Sequence, residues 1–119
     1  MDLKGSYVLL VENKKDQSMR IGSLGVINFR AGIYAYVGSA WNGLEARIAR
    51  HRRREKKLRW HIDYFVSTPH TKIIHVETYA GKRIECRLAG EISERAKGIS
   101  GFGCSDCSCK SHLFYMGRI

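Results

Sequence analysis

The sequence predicts an α/β fold, a small sandwich with its elements in the order βββ-α-α-β-α-β. Three observations predict it. β-favouring runs dominate up to Val37, helical periodicity sets in only after Gly43, and helical and β segments alternate from there onward. At 119 residues, with one proline (Pro69), no Gly/Ser-rich linker and no internal repeat, the chain reads as a single domain, 1–119. Its 44% apolar and 27% charged residues place it with globular rather than disordered chains.

The first strand runs from Gly5 to Val11, where Tyr7, Val8, Leu9, Leu10 and Val11 are apolar or β-favouring, and the polar turn Glu12 to Asp16 closes it. A second spans Ile21 to Phe29, its Gly22 and Gly25 marking a bulge or a close backbone approach. The third, Gly32 to Val37, puts Tyr34 and Tyr36 on one face. Short polar loops between the three suggest an antiparallel meander. Asn42 is placed to cap a helix from Leu44 to about Glu55. A shorter helix follows at Leu58 to Phe65, with Leu58, His61, Ile62 and Phe65 on one face and Thr68-Pro69 as its stop. Lys72 to Tyr79 alternates as a strand. Arg83 to about Lys97 is a helix whose inner face carries Ile84, Leu88, Ile92 and Ala96. A glycine- and cysteine-rich loop, Gly98 to Ser111, leads to a last strand at His112 to Met116.

Charge narrows the function. Lys and Arg outnumber Asp and Glu by 21 to 11, a formal charge of +10. Much of the excess sits in Arg50, Arg52, Arg53, Arg54, Lys56, Lys57 and Arg59. Such a run is either a solvated helix face or a phosphate-contacting patch, since displaced counterions drive nucleic-acid affinity. It grows directly out of the helix bearing Arg47 and His51, which favours the second reading. His61 and Asp63 beside it would approach nucleic acid, unless His61 is a hydrogen-bonded structural histidine. Trp41 and Trp60 either stack on exposed bases or pack.

Tyr7, Tyr36, Arg47, His51 and Glu85 form the candidate catalytic set. Phosphodiester hydrolysis needs a base for the attacking water, positive charge on the phosphate oxygens and help for the leaving oxygen. Arg47 offers a planar donor fork matched to phosphate. Glu85 can hold Mg²⁺ or Mn²⁺ through one carboxylate, with water and phosphate completing the coordination. A tyrosine is only about a thousandth ionised at pH 7, so as a base it needs a proton acceptor. His51, one helical turn from Arg47, can supply it. Each residue also has a plain reading: packed strand tyrosines, a surface cation, a carboxylate at a helix start. Glu91 is an alternative metal ligand.

In order and spacing, Gly5-Ser6-Tyr7, Tyr36-Val37-Gly38-Ser39-Ala40, the helix segment Gly43 to His51 with its Arg47 and His51, and Glu85-Cys86-Arg87-Leu88-Ala89 resemble the GIY-YIG nuclease superfamily. The resemblance covers roughly residues 5 to 95. Trp60-His61-Ile62-Asp63-Tyr64, together with Gly101-Phe102-Gly103 and His112-Leu113-Phe114-Tyr115, points within it to an uncharacterised, mostly archaeal branch that also occurs fused to endonuclease III-type glycosylases. It implies a central, mostly antiparallel sheet flanked by helices and a metal-dependent endonuclease acting on DNA, or RNA, in repair or processing. It also implies a repair-protein partner. The alternative is a non-catalytic nucleic-acid-binding module of the same fold. Two departures stand out. Ser6 replaces the family isoleucine. The literal Gly32-Ile33-Tyr34 abuts Tyr36 on one strand, so Gly5-Ser6-Tyr7 is taken as the first half, leaving an unusually long insert at about residues 12 to 31.

Cys104, Cys107, Cys109 and His112 have the spacing C-x2-C-x-C-x2-H. All four can bind zinc, although structural zinc sites usually join two separated ligand pairs. Reduced buried thiols or a disulfide are the other readings. Asp106 and His112 would instead line the active cleft. No run approaches a membrane span and Met1-Asp2-Leu3-Lys4 lacks a signal peptide's apolar segment, so the expected location is the cytoplasm.

Overall fold

The computed structural model describes residues 3–103 and 111–118. Along the chain run β1 (Gly5–Asn13), β2 (Gln17–Arg20), β3 (Val26–Phe29), β4 (Gly32–Ala40), α1 (Leu44–Arg52), α2 (His61–Val66), β5 (Thr71–Ala80), α3 (Glu85–Ser93), β6 (Lys97–Gly98) and β7 (Leu113–Gly117). Among the described residues the main sheet has five strands in the order β5-β1-β4-β7-β6, and every neighbouring pair is antiparallel. The α/β sandwich is as the sequence predicts.

The two-residue period of β1 sorts its side chains between two cores. Tyr7, Leu9 and Val11 enter one with Tyr34, Tyr36, Leu44, Ile62 and Phe65, which places α1 and α2 on that face. Val8 enters the other with Ala35, Val37 and Ala89, against which Leu88 and Ile92 of α3, and Ala96 beyond its end, pack. Phe29, Tyr34 and Phe65 meet with ring centroids 4.7 to 5.9 Å apart, each such pair contributing about 1 kcal/mol beyond its buried area.

The meander needs correction. The segment Ile21 to Phe29 is not one strand of the main sheet. Ile21 is buried, Gly22–Leu24 turns as a 3-10 helix, and only β3 is extended. It pairs with β2, which has no apolar run to announce it, in a separate two-stranded hairpin. This excursion is closed at its base. The Asn13 amide donates to the carbonyls of Phe29 and Arg30, and the Asp16 carboxylate accepts from the Ala31 N–H.

Helix ends also differ from expectation, each for a local reason. α1 stops at Arg52, not near Glu55. Lys56 donates to the carbonyls of Arg50 and His51, satisfying last-turn acceptors that continuation of the helix would otherwise need. Gly43, not Asn42, is the N-cap of α1, and the Leu44 N–H donates to Leu3 O instead. α2 begins at His61 rather than Leu58, because the Asp63 carboxylate draws in the N–H groups of Arg59 and Trp60. α3 spans a shorter range than 83 to 97. Its start is held by Ser6, whose hydroxyl accepts from the Ile84 N–H, and the Lys97 end becomes β6. Among the described residues no helix is long and apolar enough to cross a membrane.

Candidate active site

A cavity of about 220 Å³ opens where β1 begins, β4 ends and the first residue of α3 arrives. Tyr7, Tyr36, Arg47, His61, Glu85 and His112 are among its walls. Four of the five candidate catalytic residues therefore line one cavity. The fifth, His51, stands directly behind Tyr7, its Nε2 2.6 Å from the phenolic oxygen.

Register explains the phenols. Tyr7 lies opposite Gly38 across the β1–β4 pair, and a methyl group at position 38 would come within 2.5 Å of the Tyr7 hydroxyl. The glycine makes room for the ring. Tyr36, two residues before Gly38, stands on the same face with its ring centroid 6.4 Å from that of Tyr7. Tyr34 is on that face too but belongs elsewhere: its hydroxyl donates to Arg30 O and its ring packs on Phe29, Phe65 and Tyr115. The literal Gly32-Ile33-Tyr34 thus lies outside the cavity.

Burial sets the protonation states. Desolvation pushes the Tyr7 phenol up to about 12, although the Arg47 guanidinium opposes this by charge and hydrogen bonding. Tyr36 is pushed well above 10 by burial and then by Tyr7. His51 is brought down to about 3, first by desolvation and then by the Lys56 ammonium. Both partners of the 2.6 Å contact are therefore neutral at pH 7. The phenol is the stronger acid of the two, so it donates and His51 Nε2 accepts.

Arg47 reaches the cavity from α1. One guanidinium nitrogen donates to Ser39 O at 2.9 Å, and the group sits 4.3 Å from the centre of the Trp60 ring. Arg50 takes up the same ring at 4.3 Å and makes a two-pronged contact with buried Asp63 at 2.7 and 2.9 Å. Burial would raise the Asp63 carboxyl, but the Arg50 contact and the N–H groups of Trp60 and Arg59 outweigh it and hold it below the usual carboxylate range. Trp60 is thus a platform for guanidinium groups. Trp41 has Arg83 4.0 Å from its ring centre.

The other cations divide. Arg50 is committed to Asp63, Arg54 donates to Thr68 O and Thr71 O, and Lys56 caps α1. Arg52, Arg53, Lys57 and Arg59 are exposed. His61 lines the cavity, and its Nδ1 accepts from the Gly103 N–H at 2.9 Å, which leaves Nε2 to carry the proton of the neutral ring. Desolvation lowers its pKa.

Glu85 is the one carboxylate among the described residues lining the cavity. Glu91 is exposed and pairs with Arg87 at 3.3 Å, away from the cavity walls. Among the described residues no group of three or more His, Cys, Asp or Glu could hold a metal. One carboxylate facing an open cavity suits a mostly hydrated Mg²⁺ or Mn²⁺, not a protein-enclosed ion. Cys104, Asp106, Cys107 and Cys109 lie outside the described residues. His112 is buried in the cavity wall, its Nδ1 3.1 Å from Val37 O.

Ser6 is the residue whose role the sequence did not disclose. Fully buried, it donates to Lys82 O at 2.7 Å and accepts from the Ile84 N–H at 3.1 Å. It fastens the strand of Tyr7 to the turn that delivers Glu85. The only trace in the sequence is the departure from isoleucine in the motif. Comparison with curated proteins and with solved structures returns no match. The family whose sequence model matches residues 6–119 is described as a domain of unknown function, DUF123, and the chain belongs to that family.

Proposed function

We propose that this domain is a divalent-metal-dependent endonuclease hydrolysing phosphodiester bonds in DNA. The resemblance of its motifs to the GIY-YIG nucleases points the same way. The observation that carries the reading is the convergence of Tyr7, Tyr36, Arg47 and Glu85, from four different elements, on one cavity with His51 hydrogen-bonded behind Tyr7. Packing alone gives no reason for a carboxylate, a guanidinium and two phenols to share a wall.

In this reading the scissile phosphate enters beside Arg47, whose guanidinium is held in place by Ser39 O and Trp60 and turns its remaining N–H donors to the phosphate oxygens. The Tyr36 hydroxyl and the His61 Nε2–H add uncharged donors. Tyr7 takes a proton from the attacking water while its own passes to His51 Nε2. Proton transfer must be concerted, because a phenol near 12 does not ionise beforehand at neutral pH. A Mg²⁺ or Mn²⁺ ion held by Glu85 would supply positive charge to the phosphate and acidify a bound water.

The test is nicking of supercoiled plasmid with Mg²⁺ or Mn²⁺ beside an EDTA control. We expect Arg47→Ala and Glu85→Ala each to keep the fold but lower the rate by roughly a hundredfold or more. Unchanged cleavage in either variant removes that residue from the site. The same assay on RNA identifies the polymer. The single carboxylate and the raised Tyr7 phenol favour a second reading, a non-catalytic nucleic-acid-binding module. Under it, gel shifts persist while no metal supports nicking. The hydrolytic reading carries with it a cytoplasmic role in repair or processing, with a repair protein as the partner that delivers substrate.

A further inference from the structure

His51 faces two cavities' worth of chemistry. Its Nε2 is spent on Tyr7, at the wall of the cavity described above. Its Nδ1 is buried and has no partner among the described residues. A second cavity, of about 160 Å³, is walled by His51, Arg52, Arg54, Val66, Thr71, Lys72 and Ile73. His51 both forms part of this wall and touches Tyr7.

We propose that the second cavity is a rear proton exit for the candidate active site, connecting Tyr7 through the His51 ring to solvent behind α1. The inference rests on the hydrolytic reading above. With the phenol donating to Nε2, the proton of the neutral ring must sit on Nδ1. A buried N–H left without an acceptor is disfavoured, and in this proposal water drawn in from the rear cavity supplies one.

The attacking water gives one proton to the Tyr7 oxygen. The Tyr7 proton moves to His51 Nε2. The Nδ1 proton leaves to water in the rear cavity, and the departing alkoxide takes one from solvent on the substrate side, so the ring stays neutral and ends as the Nε2–H tautomer. After product release Nδ1 takes a proton back from the rear water as Nε2 returns its own to Tyr7, whose hydroxyl proton passes to solvent on the substrate side, and the starting tautomer is restored. Storage of the proton on the ring is disfavoured by burial and by Lys56, Arg47 and Arg50, with Asp63 opposing. Arg52, Arg54 and Lys72 on the rear wall add to the cationic side. A ring that cannot hold two protons can still pass one through.

The experiment is nitrogen-15 NMR of histidine-labelled protein, which reads the tautomer of His51 and the exchange of its ring N–H with water. We expect a neutral ring protonated at Nδ1 in the wild type. Exchange should slow by roughly tenfold or more when Ile73→Phe or Lys72→Tyr plugs the rear cavity, since a closed N–H exchanges only through local opening. A ring protonated at Nε2 in the wild type overturns the proposal without any variant. So does exchange that both plugs leave unchanged in proteins whose amide spectra remain folded. Neither readout requires cleavage, so a wild type that nicks nothing refutes the hydrolytic reading alone.

Discussion

Tyr7 and His51 show how burial and chemistry are joined in single side chains. The Tyr7–His51 contact puts two polar groups in a core position, each depending on the other. Tyr7→Phe leaves His51 Nε2 without its donor. We expect it to cost about 1–3 kcal/mol of stability and to lower nicking by about 10²–10⁴, measured by urea unfolding and by plasmid relaxation. His51 also couples stability to pH. The unfolded chain takes up a proton on this histidine below about 6.5, whereas the folded chain resists until about 3. Stability contributed by the neutral ring is therefore complete above 6.5 and is lost as pH falls towards 3. One such proton gives a slope of about 1.4 kcal/mol per pH unit. The urea midpoint should drop accordingly between pH 6.5 and 4, and His51→Gln should flatten that decline. Much of this site was legible because Tyr7, Tyr36, Arg47, His51 and Glu85 are chemically conspicuous at motif spacing. Ser6 was not. A serine inside a β-favouring run shows nothing of a partner 76 residues away.

At the scale of elements, Ser6 decides how two of them meet. Its hydroxyl ties β1 to the turn before α3, fixing Glu85 relative to Tyr7. Ser6→Ala frees the Ile84 N–H and should destabilise the protein by about 1–3 kcal/mol. Its effect on nicking should appear as a higher metal requirement rather than an altered rate at saturating metal. Ser6→Thr should restore both. A metal requirement unchanged in Ser6→Ala would remove Ser6 from the positioning of Glu85. The hairpin of β2 and β3 was the element least visible in the sequence. Its existence depends on closure by Asn13 and Asp16 and on the buried anchors Ile21 and Phe29, a tertiary arrangement with no local period. The early stop of α1 was hidden for a similar reason, since a lysine four residues past a helix end announces no cap.

Over the whole molecule, a formal charge of +10 makes association with a polyanion sensitive to salt. The structure sorts the contributors. Arg52→Ala, Arg53→Ala or Lys57→Ala should leave stability within about 0.5 kcal/mol. Each should also lower the slope of log affinity against log salt by about 1 in gel shifts. Arg50→Ala should behave oppositely. It strands buried Asp63 and should cost roughly 3 kcal/mol or more of stability, seen in thermal unfolding. From sequence the basic run read as one patch. Its division into free surface cations and cations held by hydrogen bonds depends on Asp63, Thr68 and Thr71, which the fold brings alongside.

Gly38 gives the experimenter a handle of another kind. A single added methyl there alters no reacting group, no charge and no metal donor, yet has nowhere to go except against the ring opposite. Replacing it by alanine would nudge the aromatic aside while every reagent stays in the chain. Any activity lost in that variant would measure how finely the oxygen of residue 7 has to be aimed, separately from what that oxygen does.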